Sequence, residues 1–89
     1  MANIGTYILT NEEPKKLSEL TGIEFKPDVK YQMQNLGDVL FVCIGENGDG
    51  FRVDTYEKFI YETEVDDIYV KPFYANSNLE KKINIGEIE

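Results

Sequence analysis

Residues 31–45 read YQMQNLGDVLFVCIG. The first half alternates, and the alternation begins just upstream: Val29, Tyr31 and Met33 fall on one side, Lys30, Gln32 and Gln34 on the other. Successive side chains of a strand point to opposite faces, so this is a half-buried strand. The second half, Val39–Ile44, is apolar at every position and asks for cover on both faces. In an all-β domain that makes it a central strand, with the core on one face and a loop or another subunit on the other. Between the halves stand two amides and a glycine, Gln34, Asn35 and Gly37. Where a strand bends into a buried neighbour, backbone groups lose their ladder partners. Gln and Asn each carry a donor and an acceptor, so they can satisfy either kind of orphan. Gly37 is expected to supply a positive φ at the corner. The competing reading is a polar strand end in solvent; on both, the pair is structural and not catalytic.

Period two continues on either side. Asn3–Leu9 carries Ile4 and Ile8 in a first strand, and Asn11–Pro14 is an acidic break. Lys15–Leu20 has room for one helical turn, with too few apolar positions at helical spacing for a stable helix. Ile23 and Phe25 alternate with Glu24 and Lys26 until Pro27-Asp28 stops the run. After the central strand comes ENGDG, whose Asn47-Gly48 is the strongest hairpin dipeptide in the chain, and Phe51–Val53 starts the return. Lys58–Thr63 alternates again, and Glu64–Asp67 forms an acidic corner. Ile68–Tyr74 is a strand in which Pro72 argues for an edge or a bulge. ANSN then turns the chain, and Leu79–Ile88 closes it. The expected fold is all-β: a small antiparallel sandwich, jelly-roll-like, of seven or eight short strands in a single domain over residues 1–89.

At 89 residues the chain buries only about 60–65% of its unfolded surface, so self-association is a natural supplement to its stability. Its net charge of −8 is concentrated in residues 38–67, where nine acids face only Arg52 and Lys58. Such a surface repels phosphate backbones and disfavours nucleic acid as a partner. The plain reading of the acids is solubility from loop tips; the other is an acidic docking face. Cys43, the lone cysteine, reads as a small core hydrophobe. The opening MANIGTYILTNEEP has neither the basic start nor the apolar stretch of a signal peptide, and no apolar run is long enough to span a membrane.

Histidine is absent, which removes the commonest general base and transition-metal ligand. No Walker or dinucleotide fingerprint occurs. Glu46–Gly50 has the look of a calcium loop, but no frame supplies the oxygen spacing of an EF-hand, and a tight hairpin is the better account. The carboxylate pairs Glu12-Glu13 and Asp66-Asp67 point to opposite faces of an extended chain and do not converge. Tyr56, Tyr61, Tyr69 and Tyr74 have the chemistry to stack sugars or bases, and more ordinarily fill a small β core or its rim. Neither an enzyme, a cofactor nor a metal site is expected.

One ordered pattern remains. Tyr31, Gln34, Asn35 and Gly37 precede a Val/Phe-rich strand through Val39, Phe41 and Val42, and Ile68-Tyr69-Val70-Lys71 follows the acidic corner. This resembles the small β-sandwich modules of tailed-phage virion proteins of head-decoration, head-fibre and tail-adaptor type. There T-x-Y-x-I-Q-N-x-G is followed by x-V-Y-V and later by I-Y-V-R/K. The likeness spans roughly residues 17–88. The chain departs from the family in its compact ENGDG, where an Ala/Pro-rich excursion is common. It departs again in Asp54-Thr55-Tyr56-Glu57, where an aromatic and Pro-Gly are common. The resemblance implies a structural component of a phage particle, made in the host cytoplasm and residing in the virion. Its partners would be other virion subunits and further copies of itself, with no nucleic acid and no membrane. Phe51, Phe73 and Tyr74 are candidate assembly contacts. Two other readings stay open: an acidic inhibitor that mimics DNA against a host defence enzyme, and an SH3-like peptide-binding barrel.

Overall fold

In the computed structural model, residues 2–45, 49–62, 67–74 and 77–88 are described. Glu46–Gly48, most of the acidic corner (including Asp66) and the start of ANSN lie outside them. Eight strands are present among the described residues: β1 (Ala2–Leu9), β2 (Lys15–Lys16), β3 (Lys30–Asn35), β4 (Leu40–Ile44), β5 (Gly50–Val53), β6 (Lys58–Glu62), β7 (Ile68–Pro72) and β8 (Lys81–Ile88). They form two four-stranded sheets, β1-β8-β3-β6 and β2-β7-β4-β5. All ladders are antiparallel.

Four of the ladders are nested: β4 with β5, β3 with β6, β2 with β7, β1 with β8. The chain is one long ribbon folded back on itself, and rolling it adds the β3–β8 and β4–β7 ladders that complete each sheet. This is the strand order of a jelly roll. Two separate sheets in this order take the fold away from the barrel alternative.

The core lies between the sheets. Tyr31 and Met33 of β3, Ile83 and Ile85 of β8 and Tyr61 of β6 face Leu40, Val42, Val53, Ile68 and Val70. A fully buried aliphatic side chain contributes about 1.5–3 kcal/mol. The alternation of Tyr31 and Met33 with Gln32 and Gln34 is the one expected.

Three expectations are corrected. The Ile23–Phe25 alternation forms no strand; Ile23, Phe25 and Val29 pack as irregular chain against the core, and Phe25 meets Tyr31 edge-on at 4.9 Å. A short helix, α1 (Leu17–Thr21), does form. Tertiary contact holds it: Leu17 is fully buried, and Gly22 at φ 75° closes it by donating its N–H to the Ser18 carbonyl at 2.9 Å. The Pro72 strand β7 is central, not an edge. The Phe73 N–H donates to the carbonyl of Val39, just before β4, so the nitrogen one residue earlier points the other way, where the pairing of β2 reaches only Val70 and Tyr69. Proline therefore loses no ladder bond there.

Candidate functional site

The β3–β4 corner is built around Asn35, which is fully buried. Its Nδ2 donates to the carbonyls of Asp38 (2.9 Å) and Val53 (3.0 Å), and its Oδ1 accepts the Gly37 N–H at 2.9 Å. One side chain on the first sheet thus satisfies three backbone groups, two in the corner and one on β5 of the second sheet. Gln34 is different: it is partly exposed, and its Nε2 donates to the Tyr56 carbonyl at 3.0 Å. The Tyr56 N–H donates to the Asn35 carbonyl, and the Thr55 hydroxyl to the Gly37 carbonyl at 2.7 Å. These bonds fasten the β5–β6 turn, where Tyr56 adopts φ 68°.

Gly37 does not have a positive φ; among the described glycines only Gly22 and Gly45 do. Its role is close approach. A Cβ there would meet the Glu80 carbonyl oxygen and come within 2.7 Å of the Lys82 nitrogen. The corner and the 80–82 segment are joined by Leu36 N–H to Lys82 O at 2.9 Å and Asp38 N–H to Glu80 O at 2.8 Å. Tyr31 sits at the other end of β3, buried, its hydroxyl accepting the Lys26 N–H at 2.8 Å. The residues of the motif are therefore structural, and they divide between two ends of one strand.

Asp38 is the charged residue of this corner, 7% exposed. A hydrogen bond from Ser77, one from the Val39 backbone and the charge of Lys81 hold its carboxyl below the usual carboxylate range, against burial, which pushes it up. A depressed folded pKa contributes stability that is complete above the unfolded value, about 3.9, and is lost as pH falls through the folded one. The stability gap between wild type and Asp38→Asn should therefore hold from neutrality down to about pH 4 and narrow below it. Urea midpoints of both chains across that range measure it; a gap unchanged in strong acid refutes the coupling.

The second feature is the outer face of the second sheet. β4 turns Leu40 and Val42 inward, and Phe41 and Cys43 outward. Of the outward residues on this side, Gly50 and Arg52 are exposed, while Phe41, Cys43, Tyr69 and Lys71 are half-buried. Cys43 is half-buried there, so the expectation of a shielded core thiol does not hold. Phe41 lies opposite Arg52 on β5 and Lys71 on β7, and the three make a row across the sheet. The Lys71 ammonium stands 5.6 Å from the Phe41 ring centre, and the Arg52 guanidinium 5.6 Å from that of Phe73. Phe73 contacts Phe41 at 6.4 Å and Tyr74 at 5.0 Å between ring centres. Phe73 and Tyr74 are 41% and 50% exposed.

Phe51 belongs elsewhere. It pairs with the inward Val42 and meets Phe59 of β6 at 5.6 Å, at the open edge between the sheets. Of the three contacts expected from sequence, the structure brings Phe73 and Tyr74 together and sets Phe51 apart. Phe41, Arg52 and Lys71 were missed. The available signal was Tyr69-x-Lys71-x-Phe73 alternating outward on one strand beside Phe41-x-Cys43 on the next.

Two clefts, of about 340 and 260 Å³, flank residues 79–80; Asn11 and Ser77 line the first, Asp38 and Thr55 the second. Among the described residues no three of the Asp, Glu and Cys side chains gather as metal ligands would. None of the described helices is long and apolar enough to cross a membrane. Compared with protein-family models, curated proteins and solved structures, the chain matches none of them.

Proposed function

We propose that the chain is a structural component of a tailed-phage particle, of capsid-decoration, head-fibre or tail-adaptor type, acting by assembly with neighbouring subunits and without enzymatic chemistry. The observation that carries this reading is the outer face of the β2-β7-β4-β5 sheet. On the most apolar strand of the chain the outward Phe41 and Cys43 are only half-buried, and the exposed Phe73 beside them contacts both Phe41 and Tyr74. Exposed aromatic clusters of this kind mark interaction sites on small soluble domains. The phage-module pattern through Tyr31, Gln34, Asn35 and Gly37 and the jelly-roll strand order, which recurs in viral capsid domains, give independent support. Strand order alone assigns no function.

Phe73→Asp tests it. Phe73 lies outside the buried core, so the variant should fold with an unchanged melting temperature. Its incorporation into particles should fall by about tenfold or more, because the contact would bury an unpaired carboxylate. Normal incorporation of the variant moves the contact elsewhere. A wild-type chain that never joins a particle removes the assembly reading and advances the acidic inhibitor.

A further inference from the structure

We propose that the outer face of the second sheet binds an acidic surface of a second copy of this chain, in a head-to-tail contact that builds a ring or a filament rather than a two-fold dimer. This rests on the assembly reading and adds to it the partner and the symmetry of the contact.

The chain carries 17 acids against 9 bases. Yet the outward positions on β4, β5 and β7 are Phe41, Cys43, Gly50, Arg52, Tyr69 and Lys71, without an acid among them. Two described carboxylates near the margins of this face are already engaged, Asp54 with Arg52 at 3.0 Å and Asp67 with Lys16 at 3.2 Å. Lys71, on a central strand, has an aromatic ring for its neighbour and no carboxylate among the described residues. This aromatic-bearing face of an acidic protein therefore carries, in its middle, a cation with no carboxylate partner among the described residues.

Pairing this face with itself about a two-fold axis would bring two Lys71 ammonium groups, neither with a carboxylate partner among the described residues, onto one surface losing its water. The exposed acids Glu12, Glu13, Glu24 and Asp28 lie on other parts of the molecule. Any of those surfaces on a second copy supplies the missing carboxylates. A contact between two different patches cannot close as a dimer; it closes as a ring or runs on as a filament. Copies that each carry −8 repel at long range, so the contact should form where salt screens them, with a Debye length of about 8 Å at physiological ionic strength.

Sedimentation velocity of the full chain at that ionic strength, up to millimolar concentration, is the test. Wild type should pass beyond a dimer. Lys71→Glu should associate about tenfold or more weakly with an unchanged melting temperature, and Lys71→Arg should associate as wild type does. Cys43 lies on the same face and needs no variant: its labelling by a thiol reagent should slow as wild type associates. A dimer as the end state, or Lys71→Glu associating like wild type, or Cys43 equally reactive in the associated state, overturns the proposal. So does a wild type that stays monomeric; if such a chain still enters particles, the copy-to-copy contact falls and the assembly reading survives.

Discussion

Replacing Asn35 with leucine should cost the chain about 4 kcal/mol, enough to leave a domain of this size at the edge of unfolding. Leucine keeps the branched skeleton of four side-chain heavy atoms but is bulkier and lacks the amide, so lost polarity and overpacking act in the same direction. Three backbone groups lose their partner at once: the carbonyls of Asp38 and Val53 and the N–H of Gly37. Each such group, buried and unpaired, costs about 1–3 kcal/mol. Two lie in the corner and the third on β5, so a shift of the corner alone cannot expose all three to water. Asn35→Asp should be no milder: it keeps the acceptor for Gly37 but aims a carboxylate at two carbonyl oxygens. Gln34→Ala provides the contrast. Its one bond, to the Tyr56 carbonyl, is at the surface, and its loss should cost about 0.5–1 kcal/mol. Urea denaturation of the variants decides. Equal losses at positions 34 and 35 would mean that Asn35 is not the junction between the sheets.

Gly37→Ala should cost about 3 kcal/mol, although it adds one methyl group near the surface. The added carbon would run into the Glu80 carbonyl and the Lys82 nitrogen. Both are backbone, so no rotamer change makes room. The corner must part from the 80–82 segment, and the bonds from Leu36 to Lys82 and from Asp38 to Glu80 go with it. Gly22→Ala separates this from ordinary glycine strain. Gly22 has φ 75° with open space where a Cβ would stand, so the variant should lose only the left-handed penalty, about 1 kcal/mol. Thermal melts of the two variants should differ clearly; if Gly37→Ala melts with Gly22→Ala, the close approach is not a constraint.

These two positions show how much was legible beforehand. The sequence placed an amide pair and a glycine at a corner, and the corner is there. That Asn35 alone is buried while Gln34 is half in solvent follows from strand parity, which the Tyr31–Met33 alternation already implies: odd positions face inward. The reason for Gly37 was not legible, because the obstructing backbone comes from residues 80–82, far along the chain. Alternation also misled at Ile23 and Phe25, where period two survives in a segment that finds no partner strand. Pro72 argued for an edge because the one-sided reach of a two-residue neighbour, β2, cannot be foreseen from local residues. The apolar run at 39–44 announced a central strand; that its outward Phe41 and Cys43 would be only half-buried depends on where every other element packs.

The nested ladders bear on how the fold is reached. Only β4 and β5 are neighbours in the chain; β3 finds β6, then β2 finds β7, and β1 meets β8 from the opposite end. Closing the outermost pair first would tie up nearly the entire polypeptide in one loop. Zippering outward from the central hairpin leaves each new pair only a small additional closure, since loop entropy grows with the logarithm of length, about 0.6 kcal/mol per doubling. Topologies dominated by such distant pairings fold in milliseconds to seconds. Throughout that interval β8 lacks β1 and one flank of the first sheet lies open, so the nascent chain is most vulnerable to the wrong strand just before its first and last segments meet.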